Sequence, residues 1–166
     1  MLSCSNCRPP LCHHRDIPQE IGQLSNLFNL YLNDNKFIGQ LPSQLGSMSK
    51  LRGVSMFNNS LEGRVPYLGN LKNLIALYLD TNKFSGQIPK SFGGMTGMID
   101  LRLRKNDFSG TIPSELGKLK QLETLYLDTN PRIKGNIPSE LGGLMKLSEL
   151  HLYQMKETKN LGMQSE

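Results

Sequence analysis

The residues best suited to chemistry lie near the start of the chain, where cysteines and histidines are crowded together. They are Cys4, Cys7, Cys12, His13 and His14. A Cys-x2-Cys pair followed by Cys-His could supply four zinc ligands. Ligands this close leave little loop to wrap around a metal, and the Pro-Pro pair between them stiffens that loop. We therefore expect a disordered terminus or an incomplete cap and no metal site, and leave open whether these thiols pair, bind metal or stay free.

The remainder of the chain offers no arrangement typical of an enzyme. Its one other histidine, His151, has no Ser-His-Asp or Cys-His partners that the pattern identifies. Glu115 and Glu140 each follow Ile-Pro-Ser a full repeat apart, as solvated turn residues would. The glycine-rich stretch at 93–97 fits a poor copy of a repeat better than a phosphate-binding loop. We expect no enzymatic activity and no cofactor.

Composition excludes several classes of protein. The 166 residues fit one domain, and 37% hydrophobic with 20% charged residues excludes a disordered chain. No apolar run approaches the roughly 20 residues of a membrane-spanning helix. The net charge of +5 is spread along the chain except for a group at Arg102, Arg104 and Lys105, so nucleic acid is not an expected partner.

A repeat of about 24 residues organises the chain. An apolar residue followed by proline recurs six times, from Ile17-Pro18 to Ile137-Pro138. Asparagines keep the same interval, and we expect their amides to form a ladder that satisfies backbone groups at each bend. The ladder asparagines are Asn35, Asn59, Asn82, Asn106 and Asn130. Units of this kind bury their apolar faces only by stacking on one another.

Each part of the repeat has a structural meaning. The L-x-L pairs alternate buried and exposed positions, the period of a half-buried strand. Glycines such as Gly86 and Gly110 permit backbone conformations that a side chain disfavours. The following proline fixes an extended segment, and the L-G-x-L-x-x-L stretch packs its leucines beneath the strand.

The stretch at 98–122, MIDLRLRKNDFSGTIPSELGKLKQL, resembles the plant-type leucine-rich repeat, and the likeness extends from Ile17 to about Tyr153. This resemblance implies an α/β repeat solenoid, a right-handed L domain-like superhelix. Six short parallel strands would line its concave face, with 3-10 or irregular segments on the convex side. We expect a disordered or incomplete cap over 1–16, the solenoid over 17–153 and a polar tail over 154–166.

Two columns of side chains should lie exposed on the concave face. The central column comprises Tyr31, Ser55, Tyr78, Arg102, Tyr126 and His151; the outer column comprises Asn33, Phe57, Asp80, Arg104, Asp128 and Tyr153. In the central column we expect cation–π contacts of Arg102 with its two tyrosine neighbours. In the outer column we expect Asp80, Arg104 and Asp128 to form a self-satisfied charge ladder. The residues predicted to bind a partner are Tyr31, Phe57, Tyr78, Arg102, Tyr126, His151 and Tyr153.

The resemblance implies a non-catalytic module, similar to a receptor ectodomain, that binds a protein or peptide on its concave face. Two alternatives stay open: an inhibitor of a secreted enzyme, as polygalacturonase-inhibiting proteins are, or a cytosolic scaffold or truncated fragment. The family implies an extracellular or cell-surface location with a kinase or transmembrane segment downstream. Cytoplasmic is the alternative, because no signal peptide is recognisable. The sequon Asn58-Asn59-Ser60 makes Asn58 a candidate glycosylation site.

Overall fold

The structure is a computed structural model that describes residues 15–154. The expectations for Cys4, Cys7, Cys12, His13 and His14, and for the tail from 155 onward, lie outside the described residues. The domain boundaries predicted near 16 and 154 therefore stay predictions. No helix within 15–154 is long and apolar enough to cross a membrane.

Six parallel strands of three residues each form the main sheet, and each is centred on the first apolar residue of an L-x-L pair. They are β1 (Asn29–Tyr31), β3 (Gly53–Ser55), β5 (Ala76–Tyr78), β7 (Asp100–Arg102), β9 (Thr124–Tyr126) and β11 (Glu149–His151). Neighbouring strands pair in repeat register, so that Tyr78 lies beside Arg102 and Arg102 beside Tyr126. The predicted solenoid with six parallel strands is confirmed.

A second parallel sheet, absent from the sequence prediction, runs along the stack. Its strands are β2 (Ile38–Gly39), β4 (Ser60–Gly63), β6 (Lys83–Gln87), β8 (Asp107–Gly110) and β10 (Arg132–Ile133). Each begins one to three residues after a ladder asparagine. Each also contains a glycine with positive φ or leads to one, for example Gly86 at 78°. These strands are too short to show alternation, and their glycines indicate turns to a sequence reader.

The opposite side of the stack carries short 3-10 helices, each preceded by the proline of the repeat. They are η1 (Gln19–Gln23), η2 (Ser43–Ser47), η3 (Lys90–Gly94), η4 (Ser114–Lys118) and η5 (Ser139–Gly143). Within the described residues, the connection from β4 to β5 forms turns instead of such a helix. This is the repeat whose V-P-Y-L-G-N-L segment is one residue shorter than its siblings.

Stacking of the repeats produces one continuous apolar core. In the interior repeats the strand leucines and the leucines behind them are fully buried, among them Leu77, Leu79, Leu101, Leu103, Leu116, Leu119 and Leu122. Phe84 and Phe108 from the second sheet stack with ring centroids 6.3 Å apart and are also fully buried. The main sheet, the second sheet and the 3-10 helices therefore enclose a common interior.

Candidate binding face

The centre of the main sheet is occupied by an arginine held between two tyrosine rings. The guanidinium carbon of Arg102 lies 4.7 Å from the ring centroid of Tyr78 and 5.1 Å from that of Tyr126. Strand pairing sets this arrangement, because the three residues occupy matching positions on β5, β7 and β9. The cation–π contacts expected from the sequence are thus present, each contributing about 0.5–1 kcal/mol at an exposed site.

A carboxylate that the sequence analysis missed fixes this arginine in place. Asp100 accepts hydrogen bonds from Nε of Arg102 at 2.9 Å and from Nη2 at 2.7 Å, and also from the hydroxyl of Tyr78 at 2.8 Å. The bond to Asp100 raises the pKa of Arg102. Burial, and then the bond to Asp100, raises the pKa of Tyr78. The signal was available, since side chains two residues apart on a strand share a face.

The aromatic stack continues toward the last strand. The rings of Tyr126 and His151 are parallel within 11° with centroids 4.1 Å apart, and Tyr153 lies 6.0 Å beyond His151 at a tilt of 47°. The Tyr126 hydroxyl donates a hydrogen bond to Glu149, which raises the pKa of Tyr126. The structure therefore brings together five of the seven residues predicted to bind a partner.

The other two predicted residues lie apart from this cluster. Tyr31 is 67% exposed on β1, and the buried Ser55 separates it from Tyr78 in the sheet. The Ser55 hydroxyl donates to the side-chain oxygen of Asn33 at 3.1 Å, so this part of the central column is polar and self-satisfied. Phe57 is half-buried in the outer column.

The predicted charge ladder of the outer column is wrong. No ion pair among residues 15–154 joins Arg104 to Asp80 or Asp128. One carboxylate oxygen of each aspartate and Nε of Arg104 are buried without a hydrogen-bond partner. The guanidinium instead lies across the ring of Tyr126, 5.6 Å from its centroid. Both aspartate side chains are buried, whereas the longer arginine side chain packs on the Tyr126 ring, so no ion pair forms between them.

Burial has an electrostatic consequence for Asp80. Its side chain is buried, and desolvation raises its pKa from 3.8 to about 6 although Arg104 and Arg102 act in the opposite direction. A carboxylate with a partner at each oxygen would not show this balance. Burial of the Asp80 carboxylate therefore opposes its ionisation.

Four of the five predicted ladder asparagines form side-chain hydrogen bonds along the stack. The amide nitrogens of Asn59, Asn82, Asn106 and Asn130 each donate to a carbonyl of their own bend and to one of the preceding repeat. Their side-chain oxygens accept a backbone N–H from the preceding repeat. Among the residues that the structure describes, the side chain of Asn35 in the first repeat donates only to the carbonyls of Leu32 and Asn33.

The candidate glycosylation site lies at an exposed bend. Asn58 has a left-handed backbone, with φ of 54°, and its side-chain nitrogen donates to Asp34 in the preceding repeat at 2.9 Å. That hydrogen bond lowers the pKa of Asp34. The bend lies beyond the end of β3, and Asn58 is outside the aromatic cluster.

Comparison with known proteins identifies what the repeats are similar to. A family model described as Leucine Rich Repeat matches residues 26–48, 73–95 and 98–119. No curated protein matches the chain.

One similar solved structure is the ectodomain of the Arabidopsis thaliana membrane receptor kinase GASSHO1/SCHENGEN3 in complex with CASPARIAN STRIP INTEGRITY FACTOR 2. It is 40% identical over 84% of this chain, with a TM-score of 0.80. The PEPR1–AtPEP1 structure is 33% identical over 84% of the chain, with a TM-score of 0.82. The ectodomain of the Arabidopsis thaliana receptor kinase SOBIR1 is 27% identical over 78% of the chain, with a TM-score of 0.68. The chain spans 17% of the first structure, 20% of the second and 71% of the third.

Proposed function

Because the chain is a leucine-rich repeat protein of the plant type, with repeats similar to receptor-kinase ectodomains, we propose that the exposed face of its six-stranded sheet binds an extended peptide or a protein segment. The relatives include structures described as complexes with a factor or peptide. The proposed role is non-catalytic, and the proposed location is outside the cell, as for the receptor ectodomains.

The observation that carries the proposal is the pre-positioned side chain of Arg102. Two tyrosine rings hold its faces and Asp100 holds one edge, while the side chain is still 35% exposed. A side chain already fixed in one rotamer loses little entropy on binding, which is the advantage of a pre-organised site. Tyrosine and arginine are also the residue types enriched at binding hot spots.

The location of the cluster fits a ligand that crosses several strands. Tyr78, Arg102 and Tyr126 lie on the third, fourth and fifth of the six strands, so a ligand can contact neighbours on both sides. Their rings stack against the arginine, which leaves the ring edges for a ligand, while their hydroxyl groups already donate to Asp100 and Glu149. We expect the ligand to be recognised by polar contacts at these edges, with Arg102 at the centre.

Selection from a random peptide library displayed on phage tests the proposal. Peptides retained by the wild-type protein should lose about 2 kcal/mol of affinity for Arg102→Ala, the scale of a hot-spot residue. Lys118→Glu, on the exposed side of η4, serves as the control and should leave binding unchanged. Melting curves establish that each variant is folded. Peptides that bind Arg102→Ala normally but lose affinity for Lys118→Glu would place the binding surface on the other side.

Expression through the secretory pathway of plant cells tests the proposed location. A glycan attached at Asn58, detected by a mass shift that Asn58→Gln removes, would support a secreted protein. Asn73→Gln is a matched control, because Asn73 is exposed but followed by Leu-Ile and cannot be an acceptor. Secretion without a glycan at Asn58 would remove this residue as a glycosylation site and leave the sheet-face proposal untouched.

A further inference from the structure

Asp100 determines which hydrogen-bonding groups of Arg102 remain for a ligand. Its carboxylate takes one edge of the guanidinium, with Nε 2.9 Å from Oδ1 and 3.1 Å from Oδ2, and Nη2 2.7 Å from Oδ2. Among the residues that the structure describes, Nη1 donates to no acceptor, and it is not buried. Nη1 is therefore the donor of Arg102 that a ligand can reach.

Hydrogen-bond acceptors lie beside that donor. The Tyr78 hydroxyl donates to Oδ2 of Asp100 at 2.8 Å, so the hydroxyl oxygen can still accept a hydrogen bond. Within residues 15–154, Oδ1 of Asp100 accepts only from Nε of Arg102, and a carboxylate oxygen can accept twice. The centre of the face therefore presents a donor next to acceptors.

The charges at the centre of the face favour an uncharged ligand group. Arg102 forms an ion pair with Asp100 at 2.7 Å. Arg104, the next arginine on this part of the face, has the buried Asp80 and Asp128 in the repeats to either side. The two arginines are thus accompanied by three carboxyl groups, so no excess of positive charge is left to attract an anion.

We propose that Asp100 makes this position selective for the side-chain amide of an Asn or Gln in the ligand and against a carboxylate; the inference rests on the proposed binding face. A side-chain amide offers a carbonyl to Nη1 of Arg102 and an N–H to the Tyr78 oxygen or to Asp100. A carboxylate offers acceptors alone, and its charge would be repelled by Asp100.

Two alternatives fit the arrangement less well. An arginine without an acidic partner prefers a carboxylate, which it binds through two parallel hydrogen bonds, but Asp100 already occupies one edge of Arg102 in this way. A trans peptide group points its carbonyl and its N–H in opposite directions, so it cannot engage a neighbouring donor and acceptor together. The primary amide of Asn or Gln has both groups on one side.

Titration of the full chain with small molecules tests the selectivity without a peptide. The Nε–H NMR signal of Arg102, assigned through Arg102→Lys, is followed during titration with acetamide and with acetate at neutral pH and constant ionic strength. We expect acetamide to shift the signal and acetate to bind at least about fivefold more weakly. Acetate that binds the wild type as tightly as acetamide, or no response to either compound, would overturn the inference.

Asp100→Asn should reverse the order of the two compounds. Asparagine keeps the size of the side chain and an acceptor for the Tyr78 hydroxyl but removes the charge. Asp107→Asn is the matched control, because Asp107 also pairs with an arginine, Arg132 at 3.0 Å, but lies on the second sheet. It should behave as the wild type does, and melting curves establish that both variants are folded. Preference for acetamide in Asp100→Asn as strong as in the wild type would show that Asp100 does not set the selectivity.

Peptide selection separates failure of this inference from failure of the proposed function. Peptides that bind the wild type should contain an Asn or Gln whose contribution disappears in Arg102→Ala, as a double-mutant cycle measures. Selection on Asp100→Asn should favour Asp or Glu at that position. Wild-type peptides that depend on Arg102 through Asp or Glu would overturn the selectivity and leave the binding face in place. A library in which no peptide depends on Arg102 would overturn the proposed function, and the selectivity with it.

Discussion

The side-chain amide of Asn106 connects its own bend to the preceding repeat at two points. Its nitrogen donates to the carbonyl of Leu79 at 2.9 Å, and its oxygen accepts the backbone N–H of Phe84 at 2.9 Å. The same nitrogen also reaches the carbonyl of Leu103 at 3.1 Å. Because Asn106 is buried, these backbone groups have no access to water when the amide is removed.

Replacing Asn106 by alanine should therefore destabilise the fold. Leaving buried backbone groups unpaired costs about 1–3 kcal/mol. Chemical denaturation followed by circular dichroism measures the change in the free energy of unfolding. Asn35→Ala should cost less, because Asn35 is exposed and its side-chain amide donates to carbonyls of its own bend, Leu32 and Asn33. Equal and negligible losses for the two variants would show that the ladder does not stabilise the stack.

A threonine in the left-handed region predicts a stabilising substitution. Thr81 has φ of 53° and is exposed, a conformation that is uncommon for a β-branched residue. Asparagine tolerates this region better, so Thr81→Asn should raise the free energy of unfolding by about 1 kcal/mol. Thr96→Asn is the matched control, since Thr96 is exposed without a positive φ. A gain of equal size at both positions would contradict the explanation by backbone strain.

The sequence predicted the fold well because the repeat expresses it many times. Spacing alone identified the strands of the main sheet, and their register follows from stacking equal units. The second sheet was missed because its strands lack the L-x-L pair that marks the main sheet, and their glycines indicate turns. Repetition of a short motif therefore makes a strand predictable only where every repeat contains that motif, as the L-x-L pair does for the main sheet.

The binding face was predictable in outline but not in its pairing of charges. Strand register alone placed Arg102 between Tyr78 and Tyr126. The partner of Arg102 is Asp100, two residues earlier on the same strand, and their shared face could have been inferred from the strand period. The ion pairs expected between Arg104 and the two aspartates do not form. The long side chain of Arg104 can reach either an aromatic ring or a carboxylate, and residue spacing does not determine which.

Arg104 should nevertheless influence the buried carboxylate of Asp80. Its positive charge lowers the pKa of Asp80 against the larger effect of burial. Arg104→Gln should therefore raise the Asp80 pKa above its value of about 6, as a carboxyl-carbon NMR titration would measure. Lys118→Gln, on η4, is the control for the loss of one positive charge elsewhere. An unchanged or lower pKa in Arg104→Gln would show that the two side chains do not interact.

Burial of Asp80 should make the protein less stable as the pH rises from about 4 to 6. Its pKa is about 6 in the folded protein against 3.8 as the ordinary value, so the folded state binds more protons between these values. Its contribution to stability is complete below pH 3.8 and is lost as the pH passes through 6. Asp80→Asn cannot ionise, and should be more stable than the wild type by about 2–3 kcal/mol at pH 7 and similar to it at pH 3.5.

The measurement is the difference in unfolding free energy between Asp80→Asn and the wild type across this pH range. Taking the difference removes the contributions to the pH dependence that the other charged groups near Asp80 make in both proteins. Those are Asp100, Arg102 and Arg104, which act on its pKa in both directions. Asp34→Asn is the opposite control, because hydrogen bonds from Asn58 and Asn33 lower the Asp34 pKa. Its removal should produce no stabilisation at pH 7. A wild-type protein more stable than Asp80→Asn at pH 7 would mean that the ionised carboxylate is paired in solution, as the charge ladder of the outer column would require.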